Sequence, residues 1–256
     1  MTQGEAPETA ASQTVTAAEP QATSSCGNCG APLAGHFCSA CGQRDAGRLT
    51  FRRIASEAAD HVLSLDSALL RTAIDLSRNP GRVARDYVRG RRKAYLNPLK
   101  YTFVMATLFA LVINLLDVLP AGVPTDNEKA VQTYKLIVSL LGYLAYFYML
   151  PVAALQSRLF RRQGDGVAEC YVPLLYFYGH FLLLGSLLTA FGIYSTAYGT
   201  LAMRGLGLFY FLWLLVGFYR GAGASAYLKS FVLYLAFNVV NMGSGALIMF
   251  LTRLSP

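Results

Sequence analysis

Cys26, Cys29, Cys38 and Cys41 stand in a C-x2-C-x8-C-x2-C pattern close to the start of the chain. Cysteine pairs at this spacing can offer four thiolates to one tetrahedral zinc ion. A closed shell of four leaves no open position for water, so the role expected of the metal is structural. A glycine, Gly30 or Gly42, directly follows each pair. There the backbone must turn tightly for its N–H groups to point at the sulfurs, and glycine turns at least cost. So small a unit has almost no apolar core, and metal binding and folding should be one event. One Zn2+ on these four cysteines is the cofactor expected, with His36 a neighbouring loop residue. The spacing argues against disulfides and points to the reducing cytosol. No lysine or arginine lies within 26–43. Nucleic acid is therefore not the partner expected of this zinc ribbon; an unidentified protein is.

Two further sets of residues could act. Between Arg78 and Lys100 lie eight basic residues against the single acid Asp86. Arg82, Arg85, Arg89, Arg91, Arg92 and Lys93 are candidates for anionic lipid headgroups, each contributing about 1 kcal/mol near the surface. The same charges also form a positive flank that holds the start of the first span in the cytoplasm. The second set is Asp117, His180, Arg204 and Asn241, polar residues inside apolar stretches. Such residues are functional candidates by default, although hydrogen bonding to a neighbouring helix is the plainer reading of His180. Asp117 is the one acid within the expected spans, so a pair with Arg204 is expected. The chain has no H-E-x-x-H, no G-x-S-x-G and no phosphate-binding glycine loop, and no enzymatic activity is expected.

The elements that must carry these residues follow from composition. Of 256 residues 54% are hydrophobic and 14% charged, and the mean hydropathy is +0.40, outside the usual range of soluble domains. Residues 1–25 hold three glutamates, no lysine or arginine and little to bury, so a disordered tail without a signal peptide is expected. The ribbon occupies 26–43. Residues 44–97 read as amphipathic and basic cytosolic or interfacial helices. Phe51, Ile54, Ala55, Ala58, Val62, Leu65, Leu69, Ala73 and Leu76 share one face, and Asn79-Pro80-Gly81 ends one helix and begins the next. Residues 98–256 form the transmembrane domain, with spans near 101–119, 135–156, 170–193, 198–219 and 230–252. The uncharged run 170–203 exceeds the roughly 20 residues of one span, which places a turn at Tyr194-Ser195-Thr196. The segment 198–219 has the least support as a full span, since only 15 residues separate Arg204 from Arg220. Alternating basic loops put the N-terminus inside and the C-terminus outside. The fold class expected is an all-α polytopic membrane protein of about five transmembrane helices with a small N-terminal zinc ribbon.

The run Cys41-Gly42-Gln43, Asp66, Leu70-Arg71-Thr72, Asn79-Pro80-Gly81, Tyr87, Gly90-Arg91-Arg92, Tyr95 and Pro98 resembles a bacterial family of unknown function. That family joins a short four-cysteine zinc ribbon and an Asn-Pro-Gly basic segment to a polytopic membrane domain. The resemblance covers about 26–103. It implies a bacterial inner-membrane protein and brings no activity with it. The architecture is similar, more loosely, to Yip-type membrane proteins. The function expected is a non-enzymatic interaction or scaffold protein with a cytosolic zinc-ribbon platform. Its partners would be the bilayer, anionic lipids and a protein at the ribbon, with a homo-oligomer also open. The alternative is a small transporter or channel regulated by its ribbon. No repeat or pair of broken helices supports it.

Overall fold

The computed structural model describes residues 25–33, 35–45, 47–59, 66–116, 119, 128–220 and 223–254. Residues 1–24 of the tail expected over 1–25, the loop 120–127 and Asp117 lie outside the described residues. So does the C-terminal Pro256. Among the described residues the chain is all-helical apart from the cysteine module. Three short helices precede the bundle: α1 (Phe51–Ala59), α2 (Asp66–Arg78) and α3 (Pro80–Val88). Five long ones follow: α4 (Pro98–Leu116), α5 (Glu128–Leu159), α6 (Val167–Ala190), α7 (Ala197–Phe218) and α8 (Ser225–Leu254). Each of the five contains a stretch long and apolar enough to cross a membrane, and the chain is read here as a multi-pass membrane protein.

α6 lies at the centre, packed by α4, α5, α7 and α3. Its sequence is apolar all round, as suits a helix with neighbours on every side, and its side chains are buried almost without interruption from Ala168 to Leu182. The turn after α6 contains Tyr194-Ser195-Thr196, and Thr196 caps α7 by accepting the Gly199 N–H at 2.9 Å. α7 then runs unbroken past Arg204. The abundant aromatic side chains pack between helices: Phe177 of α6 meets Phe211 of α7 edge-on at 4.8 Å and Phe237 of α8 at 5.4 Å.

The apolar face of the stretch 44–97 is part of the bundle's own core. Ile54, Leu76, Val83, Ala84 and Tyr87 belong to the same buried cluster as Tyr101, Tyr176 and Phe211. The face expected to run from Phe51 to Leu76 is divided between α1 and α2, with 60–65 outside the described residues. The Asn-Pro-Gly turn explains the descent onto the bundle. Asn79 accepts the Arg82 N–H at 3.3 Å as the cap of α3, Pro80 supplies the first helical residue, and Gly81 lets the α3 backbone lie directly on Gly217 of α7. The last turn of α2 reaches further. The Tyr210 hydroxyl of α7 donates to the Leu76 carbonyl at 3.1 Å, and Ser77 meets His180, about 20 Å along α6 from its start.

Candidate metal centre

Each cysteine knuckle is built the same way, twelve residues apart. The Cys26 N–H bonds the Ala31 carbonyl at 2.8 Å and the Cys38 N–H bonds that of Gln43 at 2.8 Å; Gly30 and Gly42 close back on Cys26 and Cys38. Isolated bridges Ser25–Pro32 and Phe37–Arg44 flank the two loops. Gly30 (φ 78°) and Gly42 (φ 68°) adopt the left-handed backbone expected of them. Among its described residues the apolar side chains that the module buries are Cys26, Leu33 and Cys38, a cluster too small to hold it together.

All four sulfurs lie within 4.8 Å of one another. Cys26 Sγ is 3.7 Å from Cys41 Sγ, and Cys29 Sγ 3.6 Å from Cys38 Sγ. A tetrahedral ion with metal–sulfur bonds of about 2.3 Å needs sulfurs about 3.8 Å apart, so the cage fits. The Gln43 backbone N–H favours the Cys41 thiolate and brings that thiol down to about 6. The Ala31 N–H likewise favours the thiolate of Cys29, but the Cys38 thiol, burial and the other two thiols hold its proton up to about 12. The cluster thus keeps protons that an incoming dication would displace. His36 is exposed and stands outside the group, and Cys170 is buried far along the chain in α6, bonded to the Tyr219 hydroxyl at 3.4 Å.

Gln43, a residue without an assigned role at the sequence level, fastens this module to the helices. Its amide donates to the Gly90 carbonyl at 2.7 Å and accepts the N–H groups of Arg92 at 3.1 Å and Lys93 at 3.0 Å. The Lys93 ammonium reaches the Cys41 carbonyl. Behind this turn Glu57 of α1 takes Arg92 at 2.9 Å and the Tyr87 hydroxyl at 3.1 Å, while Asn97 donates to Tyr87 and to the Ile54 carbonyl. Burial, and then the Glu57 carboxylate, push the Tyr87 phenol well up, so it stays a donor.

The six basic residues named for headgroups therefore divide. Arg92 is turned inward, its side chain 6% exposed and paired with Glu57. Lys93 is spent on the module, and Arg91 pairs with Asp86 at 3.5 Å. Arg82, Arg85 and Arg89 line a cavity beside Arg220. The residues named within the spans divide as well. His180 is buried, Asn241 donates to the Tyr148 hydroxyl at 3.3 Å, and Arg204 is exposed on α7. With Asp117 outside the described residues, the expected Asp117–Arg204 pair has no description.

His180 joins three helices. Tyr101 Oη of α4 lies 2.9 Å from Nδ1 and Ser77 Oγ of α2 lies 3.1 Å from Nε2. Ser77 also donates to the Ala73 carbonyl at 2.9 Å, so the consistent assignment puts the imidazole proton on Nε2, facing Ser77, and lets Nδ1 accept from Tyr101. Ser77 in this arrangement accepts from His180 while it donates to Ala73. His180→Leu should cost about 1–3 kcal/mol, because the buried Tyr101 hydroxyl loses its partner. His180→Gln should recover part of that loss. Thermal unfolding in detergent measures both, and a wild-type midpoint for His180→Leu would remove the bridge.

Residues 66–110, comprising α2, α3, the docking turn and most of α4, match the sequence model of a family described as "Protein of unknown function (DUF3667)". The matched stretch begins after the cysteine module. No curated protein and no solved structure matches the chain.

Proposed function

We propose that this chain is a non-enzymatic scaffold of a bacterial cytoplasmic membrane, with one structural zinc ion in its four-cysteine module. The metal keeps a small platform folded and clamped to the cytoplasmic end of the bundle, where a protein partner docks. The observation that carries this reading is Gln43. Its backbone carbonyl closes the second knuckle while its side chain grips the Gly90–Lys93 turn, so the state of the metal cage bears directly on the docked position. Phe37, 64% exposed at the start of the second knuckle, offers the partner an aromatic anchor. The polar groups inside the bundle support packing over a solute path, since His180, Thr102, Gln156 and Asn241 all form hydrogen bonds between elements.

Orientation follows from charge. Arg158, Arg161, Arg162, Arg220 and Lys229 lie at the same end of the bundle as the module, which favours the cytoplasm for that end. A reporter at Gly164 should read cytoplasmic and one after Pro256 periplasmic. Crosslinking in native membranes tests the platform. A partner captured by the wild type should be lost in both Cys38→Ser and Phe37→Ala. A partner set unchanged in both, together with solute flux in liposomes, would replace the scaffold with the transporter.

A further inference from the structure

The positive charges that the docking turn leaves unused gather in one place. Arg82, Arg85 and Arg89 fall on one face of α3 and its C-terminal cap, at steps of three and four. Arg220 stands two residues past the end of α7. Together with Asp86 these four arginines line a cavity of about 260 Å³. Asp86 is already occupied, held by Arg82 at 3.6 Å and Arg91 at 3.5 Å and approached by the Tyr95 hydroxyl at 3.5 Å. The Arg89 and Arg220 side chains form no hydrogen bond or ion pair among the described residues.

Arg85 is the centre of the arrangement. Its guanidinium lies over the Phe218 ring, 5.3 Å from the centroid, and its Nε and Nη2 are buried without a hydrogen-bond partner. Burial, and then the like charges of Arg89 and Arg220, disfavour its charged form, while the Asp165 carboxylate favours it. Asp165 is itself half-buried; burial and Glu169 push its carboxyl up, against the pull of Arg85, Arg89 and Arg48. An arginine nevertheless remains charged. Unpaired guanidinium donors taken out of water are costly, and four converging cations repel. A tetrahedral oxyanion relieves both, because its oxygens accept the paired N–H groups of several planar forks at once.

We propose that the cavity between α3 and the end of α7 is a binding site for a phosphate group, formed by Arg82, Arg85, Arg89 and Arg220. Its place in the fold favours access from the bilayer. The apolar run of α7 stops at Phe218, Gly81 meets Gly217 immediately below, and the arginines begin where headgroups begin. A phospholipid headgroup and free inorganic phosphate share the required chemistry. The site does not depend on the metal-module reading, since it uses none of that module's residues.

Native mass spectrometry of the full chain in detergent tests the site with three probes: phosphatidylglycerol, inorganic phosphate and diacylglycerol, which has no phosphate. The wild type should retain phosphatidylglycerol over diacylglycerol. Arg85→Gln and, independently, the exposed Arg220→Gln should each weaken retention by about tenfold, the loss of a hydrogen bond to a charged group. The double variant Arg161→Gln/Arg162→Gln, at the same end of the bundle but away from the cavity, should bind as the wild type does. Phosphatidylglycerol that inorganic phosphate does not displace marks the lipid as the source. Inorganic phosphate that binds alone and is lost in the same two variants marks a soluble source. Equal retention of diacylglycerol overturns the proposal, and so does unchanged binding in both arginine variants.

Discussion

Cys38→Ser should abolish metal binding and unfold the module while leaving the bundle assembled. Cys38 is buried and its sulfur sits 3.6 Å from that of Cys29. A serine hydroxyl there supplies neither the charge nor the softness of a thiolate. Three remaining cysteines cannot close the shell, and the module's buried cluster of Cys26, Leu33 and Cys38 has nothing else to collapse onto. Structural zinc contributes about 10–16 kcal/mol in units of this kind, far more than so small a cluster provides. Among the described residues the five long helices share no buried cluster with the module, so helix content should barely change. Metal analysis should show one zinc per wild-type chain and close to none in the variant, and limited proteolysis should cut within 26–45. Zinc held stoichiometrically by a variant lacking both Cys26 and Cys29 would refute the four-cysteine site.

Gly81→Ala should be the most damaging single methyl group added to the described helices around α3. A Cβ at Gly81 would lie 2.5 Å from the Phe218 nitrogen and 2.6 Å from the Gly217 Cα, and these are backbone atoms that cannot rotate away. Either α3 or α7 must move, and α3 carries Tyr87, Arg85 and the turn that receives Gln43. Overpacking of this sort costs about 1–3 kcal/mol, and a contact between two backbones belongs at the upper end. Gly217→Ala should be much milder, since its Cβ would meet the Gly81 Cα at 3.3 Å with Gly81 nitrogen next at 3.7 Å. Thermal unfolding of the two variants in detergent measures the asymmetry. Equal midpoints would mean that α3 does not lie on α7 as described.

The four-cysteine cluster and the five long helices were legible in the sequence for the same reason: both are local. Ligand spacing, the glycine after each pair and uncharged runs of membrane length are all written along the chain within a few tens of residues. Even the break between α6 and α7 was legible, because one span cannot absorb the run 170–203. What the polar side chains do was not. Arg85 and Arg92 stand seven residues apart in one basic run, and nothing in the pattern separates them. Tertiary packing turns Arg92 onto Glu57, distant in sequence, and leaves Arg85 facing Arg220 across a cavity. Gln43 looks like the end of a cysteine motif until Gly90 is brought beneath it. His180 reads as a lone histidine in an apolar helix until α2 and α4 deliver Ser77 and Tyr101 to its two nitrogens. Hydrophobic periodicity determines that a helix has a buried face. Which helix meets that face depends on shape, and here it turned on one close approach, the bare backbone of Gly81 against Gly217.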